Sequence, residues 1–297
     1  FEINLQLDFT IMSVAIVFPL VFSITSAYQR RQDSIGEFAV FRNKIIDLSN
    51  IFYSVDKTNK TDYEKLFFSL VELQDIFVNY LKNYVRVMAD RFNLKIDDLV
   101  VDIGSNDGTC LRFFKERGMN VIGIDPAIEI AEKATKNGIN TVKDFFSYEL
   151  AISLLKEYAP AKYITSHNAC AHIDNLLDIV EGVDYLLDEK GIFVVEVGYL
   201  VDVYKNTWFD TIYHEHLDFH TLAPFEKLFE LVGMEVISAQ RISPQGGSIR
   251  IISQKKNGPF KRDASVNELI NIERELGLHK AETYNKFEKK ISLVKGQ

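Results

Sequence analysis

From residue 99 onward the chain alternates short apolar runs with amphipathic, charged stretches. Leu99-Val100-Val101 ends on Asp102 and a tight turn, Gly104-Ser105-Asn106-Asp107-Gly108. Leu111, Phe113 and Phe114 then mark one face of a helix ending near Gly118, and Val121 to Ile124 is a second strand closing on Asp125. The alternation goes on: helix Ala127–Asn137, strand Ile139–Val142, helix Ser147–Glu157, strand Lys162–Ser166, helix Asn175–Leu187 and strand Gly191–Val197. Helix Ala223–Val232 and strands Met234–Ile242 and Ser248–Ser253 complete the pattern. Strands separated by helices predict an α/β sheet covered on both faces. The last two strands have no helix between them and are expected to pair antiparallel at an edge.

Strand, glycine turn, helix, strand and acid make up a nucleotide-binding unit. Glycines and a helix N-terminus let backbone N–H groups approach a ligand closely. Asp125 follows the turn by about 20 residues, where a carboxylate reaches ribose hydroxyls. The same pattern fits any βαβ unit with a glycine turn.

In front of this unit, Tyr63 to Phe92 has helical spacing at Leu66, Leu70, Leu73, Phe77, Leu81, Val85 and Met88. The polar stretch Val55–Asp62 reads as a boundary, with a charged helix and linker over 36–62. Phe9 to Gln29 carries no charge and is long enough for a membrane span, which needs about 20 apolar residues. Arg30 and Arg31 follow it, so the remainder would face the cytoplasm. Pro19 and scattered hydroxyl residues weaken the span, and a buried apolar helix within 1–35 is the alternative.

Of the 297 residues, 47% are hydrophobic and 26% charged, a balance that supports a sizeable core. The net charge of −8 gives no sign of a nucleic-acid partner. Two separated cysteines, Cys110 and Cys170, form neither a disulfide framework nor a zinc pattern and suit a reducing compartment.

The stretch richest in chemistry is Thr211 to His220, TIYHEHLDFH, which holds three of the six histidines. It reads as a polar loop, as a catalytic cluster, or as a metal site. An extended backbone would put His214, His216, Asp218 and His220 on one face, a ligand set suited to a divalent ion. Gly246 and Gly247 permit close backbone approach ahead of Ser248 and Arg250. Arg250 suits a phosphate through bidentate bonds, or a solvated edge position. Asp144-Phe145-Phe146, after the third strand, flanks an adenine or supplies core phenylalanines.

VVDIGSNDGT, NACAHIDN, DTIYHEHLDFH and QGGSIR, in this order, resemble the C-methyltransferases that act on nucleotide-linked deoxy-keto-sugars. The resemblance covers about Tyr63 to Asn257, with a methyltransferase domain expected over 63–260. It implies a seven-stranded, doubly wound (Rossmann-like) class I methyltransferase sheet preceded by a helical segment. A nicotinamide-dependent dehydrogenase is the rival, but Asn106 occupies its second glycine position. The resemblance places S-adenosylmethionine on the glycine turn, with Asp102, Gly104, Asn106, Gly108, Asp125, Asp144, Phe145, His167 and Asn168 as cofactor-side candidates. It makes His216 a general base, with Tyr213 and Glu215 beside it, and likens His172 to the family's other active-site histidine. Phe67, His214, Gly246, Gly247, Ser248 and Arg250 fall on the substrate side. The family has a tyrosine in a Y-x-S-S-like stretch, for which Phe67-Phe68-Ser69-Leu70 is the nearest match, without the hydroxyl. Carbon methylation next to a ketone needs a base to remove a proton and a donor to hold the enolate oxygen. The family also carries a cysteine-rich zinc domain in front, whose pattern this sequence lacks, and a rear domain whose first helices 261–297 are expected to be. No metal is expected. The partner implied is a nucleotide-linked sugar; oligomeric state is left open. A tethered cofactor-binding module without turnover is the remaining alternative.

Overall fold

The computed structural model describes residues 77–208, 216–242 and 247–295. The apolar segment 9–29, the linker over 36–62, Phe67, Tyr213, His214, Glu215 and Gly246 lie outside them. Among the described residues, no helix is long and apolar enough to cross a membrane. Residues 78–242 and 248–297 form one compact unit, described below.

Helix α1 (77–91) opens this unit. The order then runs β1 (Leu99–Ile103), α2 (Thr109–Glu116), β2 (Asn120–Ile124), α3 (Ile128–Lys136), β3 (Thr141–Val142), α4 (Tyr148–Glu157) and β4 (Ala161–His167). A 3-10 turn (Cys170–His172), α5 (Leu176–Leu186), β5 (Leu187–Gly198), α6 (Leu200–Asn206), α7 (Leu222–Leu231), β6 (Met234–Ile242), β7 (Ser248–Lys255), α8 (Ala264–Glu275) and α9 (Ala281–Lys295) follow. The seven strands lie in the order β3-β2-β1-β4-β5-β7-β6. Neighbours from β3 through β5 are parallel, and β7 is antiparallel to both β5 and β6. The antiparallel pair therefore forms as expected, but only β6 is an edge. β7 is inserted between β5 and β6, so Arg250 stands on an interior strand.

Alternation along each strand feeds two cores. Val100, Tyr163, Ile192, Val194 and Ile252 face the layer holding α1 and α2, where Leu81, Tyr84, Val85, Met88, Leu111 and Phe114 are buried. Val101, Ile164, Phe193, Val195 and Ile251 face the opposite layer with Ile179, Val183, Phe225 and Phe229. Of the helical spacing read over Tyr63–Phe92, Leu81, Val85 and Met88 form the buried face of α1, whereas Phe77 at its start is exposed.

The tail is part of this unit. Glu273 of α8 is 5% exposed and caps α7, accepting the Leu222 N–H at 2.6 Å and the Ala223 N–H at 3.1 Å. Tyr199 donates its hydroxyl to the same carboxylate at 2.8 Å. Helix N-termini leave N–H groups without intrahelical partners, and this one is satisfied by a side chain about 50 residues downstream.

Candidate active site

The carboxyl ends of parallel strands form the crevice where α/β sheets bind ligands. β1 delivers Asp102 there, followed by the glycine turn. Gly104 has φ +76°, and a Cβ on it would stand 2.7 Å from the Ala169 Cβ. Gly108 has φ +75°, and a Cβ there would stand 2.9 Å from Ile139. Both positions require glycine for conformation and for space. Asn106 also takes a left-handed φ of 51°, which asparagine tolerates better than most residues.

Asp125 pins this turn to the end of β2. One carboxylate oxygen accepts the Asn106 N–H at 2.8 Å, and the other accepts the Ala127 N–H at 2.9 Å. The carboxylate expected at a ribose thus also fixes the turn that surrounds it. Each oxygen keeps acceptor capacity beyond these bonds.

Two acceptors at this crevice, Asp102 Oδ1 and Asn168 Oδ1, are buried without a hydrogen-bond partner among the described residues, as is the Ser105 hydroxyl of the glycine turn. Burial pushes the Asp102 carboxyl up to about 7, against the pull of His167, with Asp125 and Glu196 adding to the rise. Unsatisfied buried acceptors cost stability unless a ligand donor meets them. A glycine cradle, a pinned carboxylate and two unmet acceptors fit a nucleoside cofactor carrying a cationic amine. Phe145 is 71% exposed after β3, whereas Phe146 is buried in the core, so only Phe145 is placed to flank a ligand. Asp144 accepts the Phe145 N–H at 2.8 Å.

His172 ends the 3-10 turn after β4. Leu217 donates its N–H to the Ala171 carbonyl at 2.9 Å, which docks the segment after His216 onto that turn. The His172 and His216 rings consequently lie 5.0 Å apart, and His216 meets the edge of Phe219 at 6.0 Å. His220 parts from this group. It is buried against Phe225 with ring centroids 5.0 Å apart and bridges to Tyr199. Burial holds its imidazole below the usual range, and its Nε2 has no partner among the described residues. Among the described residues, no group of three His, Cys, Asp or Glu side chains gathers to hold a metal.

His167, at the end of β4, is engaged within the protein. Its Nδ1 lies 3.1 Å from Glu196 Oε2, and its Nε2 lies 3.1 Å from the Thr165 hydroxyl and 3.8 Å from Cys110 Sγ. Arg250 is 8% exposed and is not a solvated edge residue. Its Nε donates to Glu196 Oε1, its guanidinium reaches the Tyr80 hydroxyl at 3.2 Å, and it covers the Tyr84 ring at 4.8 Å. Glu196, Tyr80 and Tyr84 were not expected from the sequence. The signal for Glu196 was a carboxylate in the otherwise apolar run GIFVVEV. Tyr84 bonds the hydroxyls of Tyr163 at 2.7 Å and Thr165 at 2.9 Å, closing the network from α1. Ser248, which is fully buried, and Gly247, with φ 142°, precede Arg250 in the chain.

A family model described as a methyltransferase domain matches residues 79–239, and one described as a C-methyltransferase C-terminal domain matches 243–297. The C-methyltransferase NovU of Streptomyces niveus is 32% identical over 220 residues, which are 74% of this chain and 52% of that protein. The chain thus spans about half the length of this curated relative. Among solved structures, the PH0226 protein from Pyrococcus horikoshii OT3 aligns with a TM-score of 0.50 at 12% identity, covering 61% of this chain and 92% of that one. A SAM-dependent methyltransferase from Archaeoglobus fulgidus aligns with a TM-score of 0.48 at 17% identity, covering 60% and 94%.

Proposed function

The chain belongs to the S-adenosylmethionine-dependent methyltransferases, and from that premise we propose that it transfers a methyl group to the carbon next to the ketone of a nucleotide-linked deoxy-keto-sugar. The observation that carries this reading is the pairing of His172 with His216 beside the glycine cradle's strand ends. The motifs around both histidines are those that resemble the sugar C-methyltransferases, and NovU is named a C-methyltransferase.

S-adenosylmethionine, when bound, supplies an electrophilic methyl group. The cradle of Gly104 and Gly108 would hold it, with Asp125 at the ribose hydroxyls, Asp102 and Asn168 meeting its amine and Phe145 beside the adenine. His216 takes the proton from the carbon next to the ketone, as a neutral imidazole does near neutral pH. His172 and Tyr213 donate hydrogen bonds to the enolate oxygen, where negative charge develops. Glu215 orients His216. The resemblance assigns His214, Gly246, Gly247, Ser248 and Arg250 to the acceptor side and gives Phe67 the position of the family's tyrosine. Holding the acceptor carbon next to the methyl donor supplies much of the rate.

Two thiols and no disulfide among the described residues suit a reducing compartment, and we place the reaction in the cytoplasm. The experiment is a calorimetric titration of the full chain with S-adenosylhomocysteine, followed by an assay with a nucleotide-linked keto-sugar and labelled S-adenosylmethionine. Binding followed by label in a carbon–carbon bond supports the reading. Binding of a nicotinamide cofactor in place of S-adenosylhomocysteine would sink it.

A further inference from the structure

Arg250 of β7 and His167 of β4 both bond one carboxylate on the strand between them. Glu196 is 2% exposed and offers one oxygen to each: Oε1 to Arg250 Nε and Oε2 to His167 Nδ1. The Tyr80 hydroxyl, 3.4 Å from Oε2, joins the carboxylate to the guanidinium a second time. We infer that Glu196 is a positioning residue, which locks the start of β7 carrying Arg250 against the end of β4 that carries His167 and leads into Asn168. The inference rests on the proposal that these two segments flank one site, the second on the cofactor side and the first on the acceptor side.

The register makes the arrangement geometrically direct. Glu196 pairs with His167 across β4 and β5, and with Arg250 across β5 and β7. The three side chains therefore stand in one row on the same face of the sheet. α1 covers that row with Tyr80 and Tyr84, whose rings exclude water. A buried ion pair gains little stability over well-packed apolar residues of equal volume. Two cations sharing one buried carboxylate gain less still, so geometry is the better account of the cluster.

The row also fixes a charge state. Burial opposes a charge on His167, but Glu196 and the Cys110 contact outweigh it and hold the imidazole well above its ordinary value. Burial likewise opposes the Glu196 charge, and Arg250 with His167 outweighs it, bringing the carboxyl to about 2. The other groups facing this row are Asp102 of β1, Cys110 of α2, Tyr84 of α1 and Tyr163 of β4. Burial pushes each of these four upward, so Cys110, Tyr84 and Tyr163 are neutral at neutral pH, and Asp102, brought to about 7, is neutral below it. The row then carries two positive charges and one negative, and Glu196 is what holds the pair of cations in place.

The test follows the His167 ring nitrogens by NMR across pH in the full chain, in wild type and in Glu196→Gln. Wild-type His167 is expected to keep both ring protons well above the pH at which an ordinary imidazole releases one, and in Glu196→Gln to release a proton at distinctly lower pH than in wild type. Glu196→Asp, which keeps the charge, should restore the cation. With the keto-sugar acceptor, Glu196→Gln should raise KM about tenfold or more, as expected for lost bonds to a charged group. A His167 that titrates near the ordinary imidazole value in wild type, or stays charged in Glu196→Gln, overturns the inference. If Glu196→Gln does not fold, the wild-type titration decides alone. If wild type binds no S-adenosylhomocysteine, the proposed function fails while the titration still decides this inference.

Discussion

The imidazole of His216 lies 5.0 Å from that of His172, ring centre to ring centre, although 44 residues separate them in sequence. The backbone brings them together, since the Leu217 N–H bonds the Ala171 carbonyl at 2.9 Å. In the proposed mechanism one histidine holds the enolate oxygen while the other takes a proton. Replacing His172 with Ala should lower kcat by about 10²-fold or more, the usual loss for one transition-state donor. S-adenosylhomocysteine should bind unchanged, because the glycine cradle is built from other residues. Steady-state kinetics beside calorimetry checks both halves of this expectation.

Gly104→Ala should damage the cradle itself. The new methyl group would stand 2.7 Å from the Ala169 Cβ, on a backbone with φ +76°. A side chain forced into left-handed backbone costs about 1–3 kcal/mol, to which the clash adds. Thermal unfolding should show the loss in the ligand-free protein, and S-adenosylhomocysteine affinity should fall with it. A variant as stable and as tight as wild type would remove Gly104 from the cradle.

Most of this sheet was legible because its strands are short, apolar and separated by amphipathic helices. Met234–Ile242 was read with the bounds it has, and Asn175 was placed at the start of α5, whose N-cap it is, accepting the Asp178 N–H. The position of β7 was not legible. Two strands without an intervening helix announce a hairpin, but which member faces the neighbouring sheet depends on long-range pairing with β5. Reading Arg250 as a solvated edge residue followed from that gap. Its partner Glu196 was hidden inside a strand whose apolar neighbours describe a core, and Tyr80 and Tyr84 were hidden on a helix that reads as mere cover. The histidine stretch was legible as a cluster, yet its alternation suggested one shared face. His220 instead turns into the core, where Phe225 holds it.

Asp102 gives a pH dependence with a defined sign. Its carboxyl is raised from an ordinary aspartate value to about 7, chiefly by burial. The folded protein therefore holds a proton that the unfolded chain has lost, and Asp102 lowers stability as pH rises from about 4 to 7. Asp102→Asn should accordingly stabilise the ligand-free protein above neutral pH while weakening cofactor affinity. A ligand carrying an ammonium group favours the ionised carboxylate. In wild type, S-adenosylhomocysteine should bind more tightly at pH above 7 than below it and should release a proton on binding at the lower pH. Calorimetry in buffers of different ionisation enthalpy measures that proton directly.

Glu273→Ala should destabilise the domain without touching the strand ends that form the crevice. Two N–H groups at the start of α7 and the Tyr199 hydroxyl would lose a buried acceptor. Leaving buried donors unsatisfied costs about 1–3 kcal/mol each, more where the acceptor was charged. The denaturant midpoint should fall with an unchanged slope, and S-adenosylhomocysteine should bind as before wherever the variant is folded. An unshifted midpoint would show that the tail does not hold α7.

The most direct test of the account compares wild type with His216→Asn in two measurements on the same preparations. One is calorimetric binding of S-adenosylhomocysteine, and the other is methyl transfer to a nucleotide-linked keto-sugar. The account predicts equal binding in both proteins, with turnover in the variant lower by about 10²–10⁴-fold, the range for a lost general base. Turnover in His216→Asn equal to that of wild type would contradict it.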